Sequence, residues 1–130
     1  MKVWLKVFIG FIGILGLIVI VAIIVLMNGM EKGKAVEINQ VNLEHVEDGT
    51  YTGSYDLTRW SNSVEVTVVN HRIEKIEVIE DVMIQLDELT QRLFNNVIMK
   101  QSLDVDIETG STVTSLAYLK SIENALEGNK

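Results

Sequence analysis

The 130-residue chain contains no cysteine, which removes disulfide frameworks, iron–sulfur clusters, zinc–thiolate sites and a lipid-modified cysteine anchor from consideration. Histidine is nearly as scarce. His45 and His71 are the only two, neither has a partner at metal-ligand spacing, and both read as solvated loop residues. Basic charge is thin as well: 11 Lys and Arg stand against 18 Asp and Glu. Setting aside Lys2 and Lys6 beside the N-terminal apolar block leaves 9 against 18, a net of −9. A surface of that sign repels phosphate backbones, which argues against a nucleic-acid partner. The chain also lacks a Gly-x-Ser-x-Gly sequence, paired histidines and a phosphate loop with its lysine, so a self-contained hydrolase or metalloenzyme is a distant reading.

Charge is missing altogether from residues 7–27, a run of 21 that is sufficient to cross a hydrocarbon core as a helix. Lys2 and Lys6 also fit a signal peptide. Against that reading, the run is too long for a signal-peptide core, and Leu26-Met27-Asn28-Gly29-Met30 offers no Ala-x-Ala cleavage pattern. Residues 1–28 are therefore expected to be an uncleaved membrane anchor. Lys2, Lys6 and the α-amino group flank one side, and Lys32 and Lys34 beside Glu31 flank the other. This slight positive-inside bias puts the N-terminus in the cytoplasm and the rest of a single-pass protein outside the cell membrane. Trp4 then falls at the inner interface. Gly10, Gly13 and Gly16 recur every third residue, so they form no Gly-x-x-x-Gly seam. Residues 29–47 read as a polar linker that lifts the domain off the bilayer, with Val36, Ile38, Val41 and Leu43 in a stem either extended or helical.

Residues 48–128 read as an α+β domain, a small antiparallel sheet packed by two helices. A first strand is expected over 50–55, after the turn dipeptide Asp48-Gly49. Val64, Val66 and Val68 alternate with Glu65 and Thr67 in a second strand over 63–69. Asn70-His71 supplies a two-residue turn, and a third strand runs over 73–79. The turn-rich stretch between the first two strands carries Trp60, which either packs over a ligand ring or plugs the edge of the core. Leu86, Leu89, Leu93 and Val97 recur at helical spacing and predict a helix over 84–100. Leu116, Leu119, Ile122 and Leu126 predict another over 112–127.

The last helix is preceded by Asp106-Ile107-Glu108-Thr109-Gly110-Ser111-Thr112-Val113-Thr114-Ser115, in which hydroxyl residues and one glycine sit where a loop becomes a helix. Gly110 permits the left-handed backbone of a turn, and Thr109, Ser111 or Thr112 is placed to cap the first free N–H groups. The remaining donors and the positive end of the helix dipole suit an anion, phosphate being the usual one. Ordinary capping explains the same residues without any ligand.

This stretch resembles the flavinylation motif of the FMN-binding domain family, which includes peripheral subunits of the sodium-pumping NADH:quinone oxidoreductase and Rnf complexes. The opening Asp48-Gly49-Thr50-Tyr51-Thr52-Gly53 resembles the start of the same domain. Together the two matches cover about residues 48–126. The resemblance implies that a flavin transferase joins FMN through its phosphate to Thr112, and that Ser111 stands where the family usually has alanine. It also implies that Asp106, Thr109, Gly110, Ser111, Thr114 and Ser115 form the surrounding cofactor-binding site. The implied function is an extracytoplasmic electron relay whose donor and acceptor are proteins or quinones. The competing expectation is a module that binds FMN non-covalently, or a flavin-free accessory or sensory domain.

Overall fold

The structure, a computed structural model that describes residues 2–108 and 110–128, begins with helix α1, Val3–Met27. No residue of α1 is buried, and the helix is long and apolar enough to cross a membrane. A short helix α2, Met30–Lys34, follows after Gly29, whose φ of 87° breaks the helical path.

The α+β domain is built on three strands, β1 Gly49–Tyr55, β2 Asn62–Val69 and β3 Arg72–Glu80, antiparallel and in the order β1-β2-β3. Val64, Val66 and Val68 are fully buried on one face of the central strand, as their alternation predicts. Asn70 and His71 both adopt positive φ, 52° and 60°, the combination that matches the twist of a tight hairpin. His71 does more than face solvent, because its Nδ1 lies 3.0 Å from the Val46 carbonyl oxygen and 3.2 Å from that of Leu43. It thereby fastens the 3-10 turn Leu43–His45 to the hairpin.

Helix α3, Asp87–Lys100, starts three residues later than the periodicity predicts. Asp87 and Glu88 supply the acidic first turn that a helix start favours, whereas residues 82–86 take no regular form. Its buried face is Thr90, Leu93, Phe94 and Val97. Leu89 is half-buried and Leu86 lies outside the helix, so the stripe is rotated from the expected one. Gln101 ends α3 in the left-handed conformation and pairs its side-chain amide with both the N–H and the carbonyl of Ile73, at 2.7 and 2.9 Å. The outer edge of β3 is thus covered at that point.

Helix α4, Thr112–Glu127, has the expected bounds but is buried on more than one stripe. Leu119, Ile122 and Leu126 are in the core and Leu116 is half-buried, while Ala117, Ser121 and Ala125 form a second row at four-residue spacing. That row explains Gly53 of β1. A Cβ there would lie 2.1 Å from the Ser121 carbonyl oxygen and 2.3 Å from the Ala125 nitrogen, so α4 rests directly on the strand backbone. Two buried polar residues of α4 have partners from outside the helix. Ser121 Oγ donates to Asn62 Oδ1 at 2.6 Å, and Glu123 Oε1 accepts the Asn39 N–H at 2.9 Å while Lys120 Nζ sits 2.5 Å from its other oxygen.

Residues 29–47 do not stand clear of the domain as a linker would. Gly33 is buried, and a Cβ there would lie 2.5 Å from Val113 Cγ1. Val46 is in the core, and Met30, Ile38, Val41 and Leu43 pack against it. Scattered apolar residues in a polar sequence gain more by lying along α4 than by remaining hydrated. The stem is neither a strand nor a long helix; its backbone is irregular up to the Leu43–His45 turn.

Candidate functional site

The loop entering α4 is fixed from both sides. Leu103 is buried, and Val105 and Ile107 pack against the core. The Arg92 guanidinium forks onto Glu108, with Nε donating to Oε1 at 3.0 Å and Nη2 to Oε2 at 3.2 Å. Gly110 then turns the chain with φ 92°, as its position predicts.

Capping differs from the expectation. Ser111 is the N-cap residue, but its hydroxyl donates backward to the Glu108 carbonyl at 3.0 Å and makes no cap hydrogen bond. Its backbone N–H points to the same carbonyl at 3.2 Å, which accounts for the choice: one acceptor gathers both Ser111 donors. Thr112 is already the first helical residue, and Thr109 lies outside the described residues. The Ser115 N–H makes the first helical bond, to the Ser111 carbonyl at 2.9 Å. Among the described residues no side chain caps the start of α4, which leaves its positive end turned toward a cavity.

That cavity has a volume of about 460 Å³, within the range of small-molecule sites. Gly110, Ser111, Thr112, Val113 and Thr114 form one wall, and Trp60, Val82, Ile84 and Leu86 form an apolar one. Lys34 from α2 and Arg59 from the turn Thr58–Trp60 bring two cations to it. Arg59 is held by its surroundings: its guanidinium carbon lies 4.2 Å above the Trp60 ring, and its Nε donates to the Leu26 carbonyl at 2.9 Å. Trp60 is itself 4% exposed, so it is at once a core residue and part of the cavity wall. A second hollow of about 540 Å³ shares Leu86, Gly110 and Ser111 with the first and reaches the Arg92–Glu108 pair.

The seven sequence-predicted site residues separate accordingly. Gly110, Ser111, Thr112 and Thr114 meet at the cavity, with Thr112 and Thr114 half-buried and their neighbours Ser111 and Val113 buried. Ser115 is buried on a different side of α4, in a small gap with Leu93, Arg92 and Asp106. Asp106 lines that gap and a hollow with Asn96 and Lys100, away from the cavity. Lys34, Arg59, Val82, Ile84 and Leu86 were not predicted. Lys34 is hidden in what reads as a linker, and no spacing in the sequence links Arg59 to the motif; residues 82–85 stand where the resemblance implies a pocket-lining segment but lack the glycine or proline usual there.

Deeper in α4, Tyr118 is 1% exposed and donates its hydroxyl to Asp81 Oδ1. Burial, and then the bond to Asp81, hold this phenol well above the usual tyrosine range. Its ring meets Phe94 edge to face, with centroids 5.6 Å apart, and so ties α4 to α3. Asp81 Oδ1 also accepts the Val82 N–H at 2.8 Å, which anchors one end of the apolar cavity wall to α4.

Comparison with protein families finds no match for this chain, and comparison with curated proteins finds none either.

Proposed function

We propose that this chain is a membrane-anchored, extracytoplasmic FMN carrier that holds the flavin as a phosphoester on Thr112 and relays electrons. The observation that carries the reading is the setting of Thr112. It is the first residue of an α4 start without a side-chain cap, half-buried on the wall of a cavity that also receives Lys34 and Arg59. The resemblance of residues 106–115 to a flavinylation motif supports the same position.

The residues present suit FMN. The N-terminal N–H groups of α4 with Lys34 and Arg59 match a phosphate, although the chain as a whole is acidic. Ile84 and Leu86, backed by the nearly buried Trp60 and Val82, offer an aliphatic surface to a flat ring. When bound, the flavin supplies one- and two-electron transfer, which no side chain of this protein provides. The Thr112 hydroxyl is a poor nucleophile at neutral pH, so a flavin transferase must supply its base. In the transfer, Thr112 Oγ1 forms a bond to the FMN phosphorus of a donor in which that phosphate is joined by an anhydride to a second group. The anhydride P–O bond breaks, and the second group leaves as its phosphate, with the threonine proton passing to the transferase base. Burial of α4 behind Thr112 holds the tether in place, and a covalent tether prevents loss of the cofactor to a dilute exterior.

Co-expression with a flavin transferase, followed by in-gel flavin fluorescence after denaturation, tests this. Wild type and Ser111→Ala are expected to fluoresce and Thr112→Ala to be dark. Equal fluorescence from wild type and Thr112→Ala would move the attachment to another residue, and equally dark bands would favour non-covalent FMN binding or a flavin-free accessory role.

A further inference from the structure

Residues 82–86 form the apolar wall of the cavity on one side and an exposed surface on the other. Met83, Ile84 and Leu86 are 73%, 51% and 44% exposed, three large apolar side chains together in a domain that is otherwise strongly acidic. Their position relative to α1 is fixed by two hydrogen bonds to one residue. Arg59 donates from its side chain to the carbonyl of Leu26 in the last turn of α1, and its own carbonyl accepts the Met83 N–H at 2.9 Å. Thr58 adds a bond from its hydroxyl to the Asn28 carbonyl at 3.0 Å. The exposed loop is therefore one residue removed from the end of the apolar helix.

We infer that residues 82–86 are a second membrane contact, with Met83, Ile84 and Leu86 entering the interfacial layer of the bilayer that α1 crosses. The inference rests on α1 being a membrane span and not on flavin attachment. Three features favour a lipid surface over a protein partner. The patch is joined to the end of α1 through Arg59, a long cation of the kind that keeps its charge at the interface while its stem lies on apolar surface. The N–H groups of Val82 and Met83 are already hydrogen-bonded, to Asp81 Oδ1 and the Arg59 carbonyl, which removes part of the cost of leaving water. And α1 tethers the loop beside the membrane, so shallow insertion needs little affinity of its own. Exposed Glu80, Asp87 and Glu88 bound the loop, limit its depth and disfavour an anionic leaflet. Because Ile84 and Leu86 also line the cavity beside Thr112, this contact places the cavity mouth at the lipid surface, within reach of an apolar reactant dissolved in the bilayer.

The absence of cysteine makes a single introduced thiol a unique label site. Full-length Met83→Cys, Ile84→Cys, Met99→Cys and Val19→Cys variants, each carrying a nitroxide, are reconstituted in phosphatidylcholine vesicles. Collision with oxygen, which concentrates in lipid, is compared with collision with a water-soluble nickel chelate. Met99, 83% exposed on α3, serves as the aqueous reference and Val19, inside α1, as the hydrocarbon reference. The ratio of oxygen to nickel collisions is expected to be several-fold higher at positions 83 and 84 than at 99, and below that at 19. Ratios at 83 and 84 equal to that at 99 would overturn the inference, as would exclusion of both reagents, the mark of a protein partner or second copy on the loop. An aqueous reading at 19 would remove the span itself, and the inference would fall with it for a distinguishable reason.

Discussion

Gly53→Ala is the substitution to which the fold should be least tolerant for its size. The added methyl would lie 2.1 Å from the Ser121 carbonyl oxygen, 2.3 Å from the Ala125 nitrogen and 2.7 Å from the Ala125 Cα. All three are backbone atoms, so no rotamer change relieves the contact, and α4 must move away by roughly 1 Å to restore ordinary separations. Overpacking of this kind costs about 1–3 kcal/mol, and backbone contact places it toward the upper end. Removing a strand glycine returns roughly 0.5–1 kcal/mol of conformational entropy. The net of about 2 kcal/mol lowers the melting temperature of a domain this size by roughly 8–16 °C. Thermal unfolding of the full chain in detergent, followed by circular dichroism, measures it. A further Ala125→Gly change is expected not to rescue, because the atoms met belong to the main chain. A melting point within about 2 °C of wild type, or full rescue by Ala125→Gly, would refute the helix–strand spacing on which the position of Thr112 depends.

Gly33→Ala is expected to be milder, about 1 kcal/mol, because its Cβ meets side chains of Val113 and Leu57 that can shift, and Val113→Ala should recover most of it in a double-mutant cycle of melting temperatures. Gly110→Ala has open space but a φ of 92°; a loss of about 1–2 kcal/mol in the same assay is expected from the backbone alone. Tyr118→Phe removes a bond to a carboxylate and should cost roughly 1.5–3 kcal/mol near neutral pH. Because the folded-state pKa of Tyr118 is raised above the ordinary 10.0, its contribution is fully present below that pH. It is lost as pH rises toward the folded value, so wild-type stability should fall above about pH 10 and Tyr118→Phe should flatten that fall. Tyr55, also raised by burial, leaves a residual slope in denaturant titrations. An alkaline limb of equal steepness in both proteins would contradict the buried role of Tyr118.

Elements with a local code were legible in the sequence. The alternating valines of β2, the Asn70-His71 turn, the glycine turn at Gly110 and the bounds of α4 each follow from residues within one element. Features that depend on a neighbour distant in the chain were not. The second buried face of α4 is made of Ala117, Ser121 and Ala125, which carry little hydrophobic signal and are buried because Gly53 lets β1 approach. Leu86 has helical spacing yet lies outside α3, since the Met83 N–H is taken by Arg59 and the helix starts only at the acidic pair Asp87-Glu88. The motif identified four residues that do gather at the cavity but could not supply its cations, since Lys34 and Arg59 come from segments that read as linker and turn. Asp106 lies elsewhere because the Arg92–Glu108 pair and the apolar anchors Leu103 and Val105 set the path of the loop.

Whether Thr112 carries a flavin is asked most directly by intact-mass analysis of the full chain taken from native membranes, followed by peptide mapping. The expected result is a protein heavier by one FMN less one water, with the added mass on the peptide containing Thr112 and removed by Thr112→Ala. A colourless protein of unmodified mass, from cells whose flavin-transfer system modifies other substrates, would contradict it.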